Sequence, residues 1–388
     1  MRRIRVISAV ALLGLIAAWI YGFTASASDI RPLLPDVLPG AEQFQQKGQL
    51  FVGYGPDEEV VGYAATSQSM GYGGPVSMLV GVDPAGEVIG VQVVEHKETP
   101  GFFRLLPRNR YFKQFPGMDY SDSFRLGDDI DVASGATLSS EAVAASIHAA
   151  VRKIAATELD KDVAPRPKPI QFGVPEISLI ALYAAGYFAH QMKNKDLQKK
   201  IRWLTLLAGA IILGFIFNKP LTMANITSLI AGFWPNWQNN LYWYLLLGGI
   251  FFVTTTQSKN PYCHWFCPFG SVQEILGSLT DVKPFRPRSY HRLLLWFQRG
   301  IAYTALTLGL ALRMPGAASP EPFGALFNLT GTWPQFALLV IVLLTSLIVY
   351  RPFCNYLCPI APVDDFITEV RKWIVELWRN IRKQKLEK

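Results

Sequence analysis

The chain has 388 residues, half of them hydrophobic, and a formal net charge of +8 at pH 7. This length accommodates two or three domains, and the gathering of apolar residues into separate long runs excludes a single soluble globule. The basic balance does not point to nucleic acid, because Lys and Arg follow the segments that flank those runs.

Six runs approach the roughly 20 residues needed to cross a hydrocarbon layer about 30 Å thick. They are Ile4–Phe23, Ile177–Met192, Trp203–Phe217, Leu241–Thr256, Leu293–Met314 and Gln335–Tyr350. Arg2, Arg3 and Arg5 precede the first run. Lys193, Lys195, Lys199, Lys200 and Arg202 follow or flank the second, and Lys259, Lys283, Arg286, Arg288 and Arg292 follow the fourth. The opposite short loops carry Lys219 and Arg313. The positive-inside rule then assigns both termini to the cytoplasm and residues 28–163 to the outside, in a bacterial periplasm. Residues 1–27 read as a signal anchor, or as a signal peptide cleaved after Ala25-Ser26-Ala27.

The external domain, residues 28–163, begins after Pro32, Pro35 and Pro39 and contains no cysteine, so it has no disulfide framework. Its clearest strands are Val76–Val82 and Val88–Val94. Asp83-Pro84-Ala85-Gly86 between them suits a type I turn. A helix is expected with Ser139 or Ser140 as its cap, Glu141 in the first turn, and Arg152 and Lys153 in the last. Val143, Ile147, Val151 and Ile154 give it one apolar stripe. His148 falls near that stripe and reads as structural. Just ahead of the helix stands Asp131-Val-Ala-Ser-Gly-Ala-Thr137. Taken alone, Ser-Gly-Ala-Thr also occurs in ordinary helix caps.

Here Gly71-Tyr-Gly-Gly-Pro75, the strand pair and Glu95-His-Lys-Glu-Thr-Pro-Gly101 precede it in that order. The set resembles the FMN-binding domain shared by NosR-type proteins and by the flavin subunits of the Rnf and sodium-pumping NADH:quinone oxidoreductase complexes. The resemblance implies FMN joined to Thr137 through a phosphoester, installed by a separate flavin transferase. Asp131, Ser134, Gly135, Ala136 and Leu138 would surround the attachment point. Gly135 permits an unusual backbone angle and Ala136 leaves room for a phosphate, which the following helix start favours. Glu98, Thr99, Pro100 and Gly101 would form a loop close to the flavin. Where that family commonly continues Gly-Leu-Gly, this chain has Gly101-Phe102-Phe103, an aromatic pair expected to change how the ring is covered. His96 reads either as a flavin contact or as an ordinary loop histidine.

Residues 164–176 form a linker stiffened by Ala164-Pro-Arg-Pro-Lys-Pro169. Residues 177–364 contain an internal repeat. Ile230-Ala-Gly-Phe-Trp-Pro235 resembles Leu329-Thr-Gly-Thr-Trp-Pro334. Cys263, Cys267, Val272 and Glu274 recur as Cys354, Cys358, Val363 and Asp365 at one offset of 91. Two helix pairs of parallel topology, related by a pseudo-twofold axis along the membrane normal, would bring equivalent positions together. Each Cys-x-x-x-Cys places two sulfurs one helical turn apart on one face, and the proline after it ends or bends the helix. These are all the cysteines of the chain, and they lie after inward runs, near the reducing side. Four thiolates satisfy one iron–sulfur cluster and equally a closed zinc site. Inert thiols or a redox dithiol pair are also compatible with the spacing. The company of a flavin favours a redox metal, 4Fe-4S rather than 2Fe-2S. The paired Cys-x-x-x-Cys-Pro motifs are similar to those of NosR- and NapH-type membrane electron-transfer domains, but the ferredoxin-like Cys-x-x-Cys-x-x-Cys repeats of NosR are missing. His190, His264 and His291 near the inner face read as interfacial residues rather than haem ligands. In residues 365–388, Phe366, Val370, Trp373, Ile374, Leu377 and Trp378 line one side of a basic helix, suited to the inner membrane surface or to a cytoplasmic partner.

The expected architecture is an α+β periplasmic FMN-binding domain joined to an all-α transmembrane bundle of six helices with an internal two-helix repeat. The expected function is electron transfer between an inner-side iron–sulfur site, partly buried between the repeats, and covalently bound FMN outside. The partners would be a flavin transferase, a periplasmic redox partner, and a quinone or cytoplasmic donor, in a periplasmic reductase or respiratory pathway. The alternatives are a redox-sensing regulator and a component of an ion-pumping complex. Arg299 is almost the only charge inside the runs, which counts against pumping.

Overall fold

The computed structural model describes residues 2–25, 29–98, 100–108, 110–163, 170, 172–257, 260–280, 282 and 290–386. The chain divides into two compact units. One comprises Met1–Lys168, Ala224–Asn236 and Leu306–Ser319, and the other Pro169–Met223, Trp237–Ala305 and Pro320–Lys388. The proposed cleavage site at Ser26-Ala27 and the linker residues Ala164–Pro169 lie outside the described residues.

The first unit opens with helix α1, Arg2–Ala25. Its window Ile7–Thr24 is long and apolar enough to cross a membrane. Small residues give α1 a packing face. Ala18 is buried against Ala231 and Leu310, and a Cβ on Gly22 would overlap the carbonyl oxygen of Leu310. The Arg313 guanidinium lies 5.4 Å from the centre of the Phe23 ring and 4.6 Å from that of Phe233, a cation–π arrangement.

The rest of this unit is a five-stranded antiparallel meander in the order β1 to β5. The strands are β1 Gln43–Lys47, β2 Leu50–Tyr54, β3 Val60–Met70, β4 Pro75–Val82 and β5 Val88–His96. Central β4 is buried along most of its length, as a strand covered on both faces must be. Helix α2, Thr137–Thr157, packs on β3 and β4. It buries Val143, Ile147, Val151 and Ile154 with Ala65, Val76, Met78 and Val80. The opposite face is closed by the short helix Leu34–Val37, where Leu34, Val37 and Leu38 meet Phe51, Ala64 and Leu79. Gly81 permits this close approach, since a Cβ there would overlap the Val37 carbonyl. At the β4–β5 turn, Asp83 Oδ1 accepts the amides of Gly86 and Glu87 at 2.8 Å each, and Gly86 takes φ +105°. The α+β reading holds for this unit. The expected helix start does not: α2 begins at Thr137 with Ala136 before it, and neither serine caps it. Ser140 turns back instead, its Oγ accepting the Ala133 amide at 3.3 Å.

The second unit is helical. Its main elements are α3 Val174–Gln191, α4 Lys195–Ala208 continued by a π-helical stretch Gly209–Ile216, α5 Leu241–Gln257, α6 Pro268–Leu279, α7 His291–Ala311, α8 Trp333–Ser346 and α9 Ile360–Leu386. The last turns of α7 belong to the first unit. Helices therefore stand at all six apolar runs. Among the described residues only Ile7–Thr24 is long and apolar enough to qualify as a crossing helix, whereas Leu241–Thr256 and Trp333–Ser346 form shorter apolar helices. Charge and length limit the others: α7 carries Arg292 and Arg299, and α4 starts with Lys195-Asp196. The six-span bundle thus goes beyond what helix length establishes. On α9, Phe366, Trp373, Ile374 and Trp378 are exposed.

Candidate functional sites

Thr137 is the first residue of the 21-residue helix α2. Its side chain is exposed, as are those of Asp131, Ser134 and Leu138, while Ala136 is buried and Gly135 takes φ +80°. The loop before it is held from three directions. Gln114 Oε1 accepts the Asp131 amide at 2.7 Å, and its Nε2 donates to the Asp131 carbonyl at 3.3 Å. Tyr111 donates its hydroxyl to the Ser140 carbonyl at 2.7 Å. Burial pushes the Tyr111 phenol well above its ordinary value, so it remains a donor. The third hold is the Ala133–Ser140 bond described above. A rigid backbone thus presents one outward hydroxyl at a helix N-terminus, where free amides and the helix dipole favour an anion. Val132 and Leu138 are exposed apolar side chains flanking it, and the buried Ser139 Oγ has no partner among the described residues. These features fit a phosphate with an attached aromatic ring system.

The sequence elements Gly71–Pro75 and Glu98–Gly101 prove to be one structure. The turn closes through Gly71 N–H to Gly74 O at 3.0 Å and wraps the fully buried carboxylate of Glu98, whose Oε2 accepts the Gly73 amide at 3.2 Å. A Cβ on Gly71 would overlap Glu98 Oε1, and one on Gly74 would overlap the Lys97 carbonyl. Thr99 lies outside the described residues. Pro100–Phe103 is a helical turn rather than the expected loop, with Gly101 buried inside it. The departure Phe102-Phe103 has a packing cause. Both rings are buried, Phe103 stacking on His96 at 3.7 Å and Phe102 lying against Tyr72 at 4.9 Å. These rings fill the domain and do not form an open cover. His96 is correspondingly a packed residue: burial, then the charge of Lys97, holds its pKa below the ordinary value. His148 stacks on Phe124 at 4.8 Å.

In the second unit the two cysteine motifs share one geometry, which differs from the simple helical turn expected. Cys267 donates its amide to Tyr262 O at 2.7 Å, and Cys358 donates to Phe353 O at 2.7 Å. Both are five-residue closures, at positions 91 apart. The second cysteine of each pair therefore leaves the helical turn, and Pro268 begins α6 instead of merely ending a helix. Cys263 lies within electrostatic reach of Cys267, Cys354 and Cys358, as Cys267 and Cys358 do of Cys354. Gln298 on α7 clamps the second motif, its Nε2 donating to Cys354 O at 3.2 Å and Cys358 O at 3.0 Å. Gln273 on α6 donates to Cys354 Sγ at 3.2 Å.

The first motif packs at mid-helix. Phe266 meets Tyr183, near the centre of α3, at 5.0 Å between rings, and Gly209 in the middle of the α4 stretch admits the Phe266 backbone. Next to them lies a buried polar group that hydropathy did not reveal. Glu274 ion-pairs with Arg202 and Arg351, and Arg351 Nη1 donates to Cys263 O at 3.0 Å. Among the described residues no three His, Cys, Asp or Glu side chains converge tightly enough for a single metal ion. Four thiols supply the complete donor set of one iron–sulfur cluster, and equally of a closed zinc site.

Comparison with known proteins agrees with both halves. The FMN-binding domain family matches residues 71–152, and a 4Fe-4S binding domain family matches twice, at 239–287 and 331–379. The chain is 35% identical over 102 residues to one component of the ion-translocating oxidoreductase complex of Methanosarcina acetivorans, covering 26% of this chain and 54% of that protein. It is 23% identical over 214 residues to the protein NirI of Paracoccus denitrificans, covering 49% of this chain and 31% of that one. With the regulatory protein NosR of Pseudomonas aeruginosa it shares 27% identity over 210 residues, 50% of this chain and 29% of the relative. The chain thus spans between 29% and 54% of the length of these relatives. It carries an FMN-binding domain followed by two matches to a 4Fe-4S binding domain, and part of it is similar to NosR, to NirI and to a component of the ion-translocating oxidoreductase complex.

Proposed function

We propose that the protein passes electrons across a bacterial inner membrane between an iron–sulfur centre and FMN held covalently in the periplasm. The observation that carries this reading is the exposed Thr137 hydroxyl on a rigidly held first turn, in the same chain as two matching cysteine motifs. A flavin exchanges one or two electrons, so it joins two-electron donors to one-electron centres.

The residues divide the work. Thr137 Oγ would form the bond to the flavin phosphate, losing its proton as the leaving group departs from an activated flavin nucleotide supplied by a transferase. Gly135 and Ala136 keep space for the phosphate, and Val132 and Leu138 offer apolar contact to the ring. Glu98, locked by the Gly71–Gly74 turn, holds the neighbouring loop in place. Cys263, Cys267, Cys354 and Cys358 would supply the four ligands of one 4Fe-4S centre. Packing of the first motif at mid-helix supports a centre buried between the repeats of a six-helix bundle, and the basic flanking segments would put the termini in the cytoplasm. A quinone or cytoplasmic donor and a periplasmic acceptor would complete the path.

The test is intact-mass spectrometry of the full-length protein coexpressed with a flavin transferase, with Thr137→Ala as control. The expected result is one FMN on the wild type and none on the variant. A wild-type protein of unmodified mass overturns the covalent assignment. A second reading comes from the relative named as a regulatory protein, and makes the flavin a redox sensor. Steady-state turnover with a quinol separates the two, because a sensor shows none.

A further inference from the structure

The cysteines sit inside a shell of hydrogen bonds and charge that the domain matches do not describe. Gln273 is fully buried. Its Oε1 accepts the Phe353 amide at 2.9 Å, while its Nε2 donates to Phe269 O at 3.3 Å and to Cys354 Sγ at 3.2 Å. The orientation of this side-chain amide follows from its partners. Phe353 N–H can only donate, so the oxygen must face it, and the NH₂ end is left facing the sulfur. The amide belongs to the first repeat and the sulfur to the second. A thiolate accepts such a bond far better than a thiol does.

The next residue, Glu274, is also buried. It pairs with Arg351 and with Arg202, whose Nη2 lies 2.7 Å from Oε2, and it accepts the Tyr350 hydroxyl at 3.0 Å. Two guanidiniums facing one carboxylate give the group a net charge of plus one, with Arg351 buried and Arg202 partly buried. Arg351 is held by its Nη1 bond to Cys263 O. A Cβ on Gly270 would stand 3.4 Å from Cys354 Sγ and 3.5 Å from Arg351 Nη1, so the sulfur and the guanidinium border the same small space. An uncompensated buried cation is costly unless an anion lies beside it. A centre with four thiolate ligands is such an anion.

We infer that Gln273 and the Arg202–Glu274–Arg351 group set the reduction potential of the centre held by the four cysteines. This rests on the cluster reading above. Reduction adds one negative charge. An N–H donor on a ligand sulfur and a nearby surplus cation both stabilise the more negative state, and so both raise the potential. Two substitutions separate these effects in sign. Gln273→Leu removes the sulfur's donor and makes reduction harder. Glu274→Gln removes the only carboxylate of the group, enlarges the positive surplus and makes reduction easier.

The experiment is a redox titration, followed by electron paramagnetic resonance, of the full-length protein purified in detergent with its iron and sulfide quantified. Gln273→Leu is expected to lower the reduction equilibrium constant about tenfold, a fall of about 59 mV for a one-electron couple. Glu274→Gln is expected to shift it in the opposite direction. If Gln273→Leu fails to retain the centre, Gln273→Met replaces it. That side chain is close in length to the glutamine and carries no donor for the sulfur, so its potential must also fall. Variants with full iron content and wild-type potentials overturn the inference and leave the cluster reading standing. A wild-type protein without iron and sulfide overturns that reading, and the inference with it.

Discussion

Gly73 donates its amide to the buried Glu98 carboxylate at 3.2 Å, which binds a turn and a loop 25 residues apart into one structure. In the same turn Gly71 leaves no space for a Cβ beside the other carboxylate oxygen. Gly71→Ala must therefore displace either Glu98 or the turn. Overpacking of this kind costs about 1–3 kcal/mol. Thermal unfolding of the full-length protein should show a lower flavin-domain transition, and flavin incorporation should fall with it. An unchanged transition would mean that the turn relaxes freely and that Glu98 is not locked.

Tyr111→Phe removes the hydroxyl that reaches the Ser140 carbonyl at 2.7 Å and leaves the ring packing in place. The expected loss is about 1 kcal/mol, the usual net value of one intramolecular hydrogen bond. Denaturant unfolding monitored by tyrosine or tryptophan fluorescence measures it. Flavin attachment at Thr137 should also slow, because the loop from Asp131 to Ala136 loses one of its three holds.

His96 gives the flavin domain a pH dependence of defined sign. Burial, and then Lys97, keep its pKa in the folded protein below the ordinary 6.5. In the window below 6.5 and above the folded value, the unfolded chain binds more protons than the folded one. Stability therefore rises with pH through that window and is lost as pH falls through it. His96→Phe keeps a stacking partner for Phe103 and removes the titration. The difference in melting temperature between variant and wild type should shift in the variant's favour on going from pH 7 to pH 5. A pH-independent difference would rule out this contribution.

At the N-terminus, the buried contacts of Ala18 and Gly22 with Leu310 give α1 a seat on the rest of its unit. A helix seated in this way is expected to be retained, so intact mass of membrane-extracted protein should include residues 1–25. Gly22→Leu should lift α1 off Leu310 and increase proteolysis of the N-terminal segment. A mature protein starting after Ala27 would contradict the prediction.

Much of the candidate chemistry was legible from local sequence. The run Asp131–Thr137 before an apolar stripe, the turn Asp83–Gly86 and the repeat offset of 91 each depend on neighbouring residues or on simple periodicity. The strand pair and the buried face of α2 follow from the same period rules. The start of α2 was misplaced because Ser140 has two uses open to a serine and took the one facing the loop. The cysteine spacing read as one helical turn, since Cys-x-x-x-Cys carries no sign of the five-residue closure that Tyr262 and Phe353 make.

What the chain order determined on its own was composition, two domain types, a candidate acceptor threonine and four candidate ligands, all but the first of them read from residues close together in sequence. Tertiary structure alone decided which distant side chains share a buried space. Glu98 meets Gly73 across 25 residues, Arg202 meets Glu274 across 72, and Gln273 meets Cys354 across 81. The physical reason is that a buried charge or amide takes whichever partner the packed fold brings within about 3 Å, and sequence periodicity carries no information about that choice.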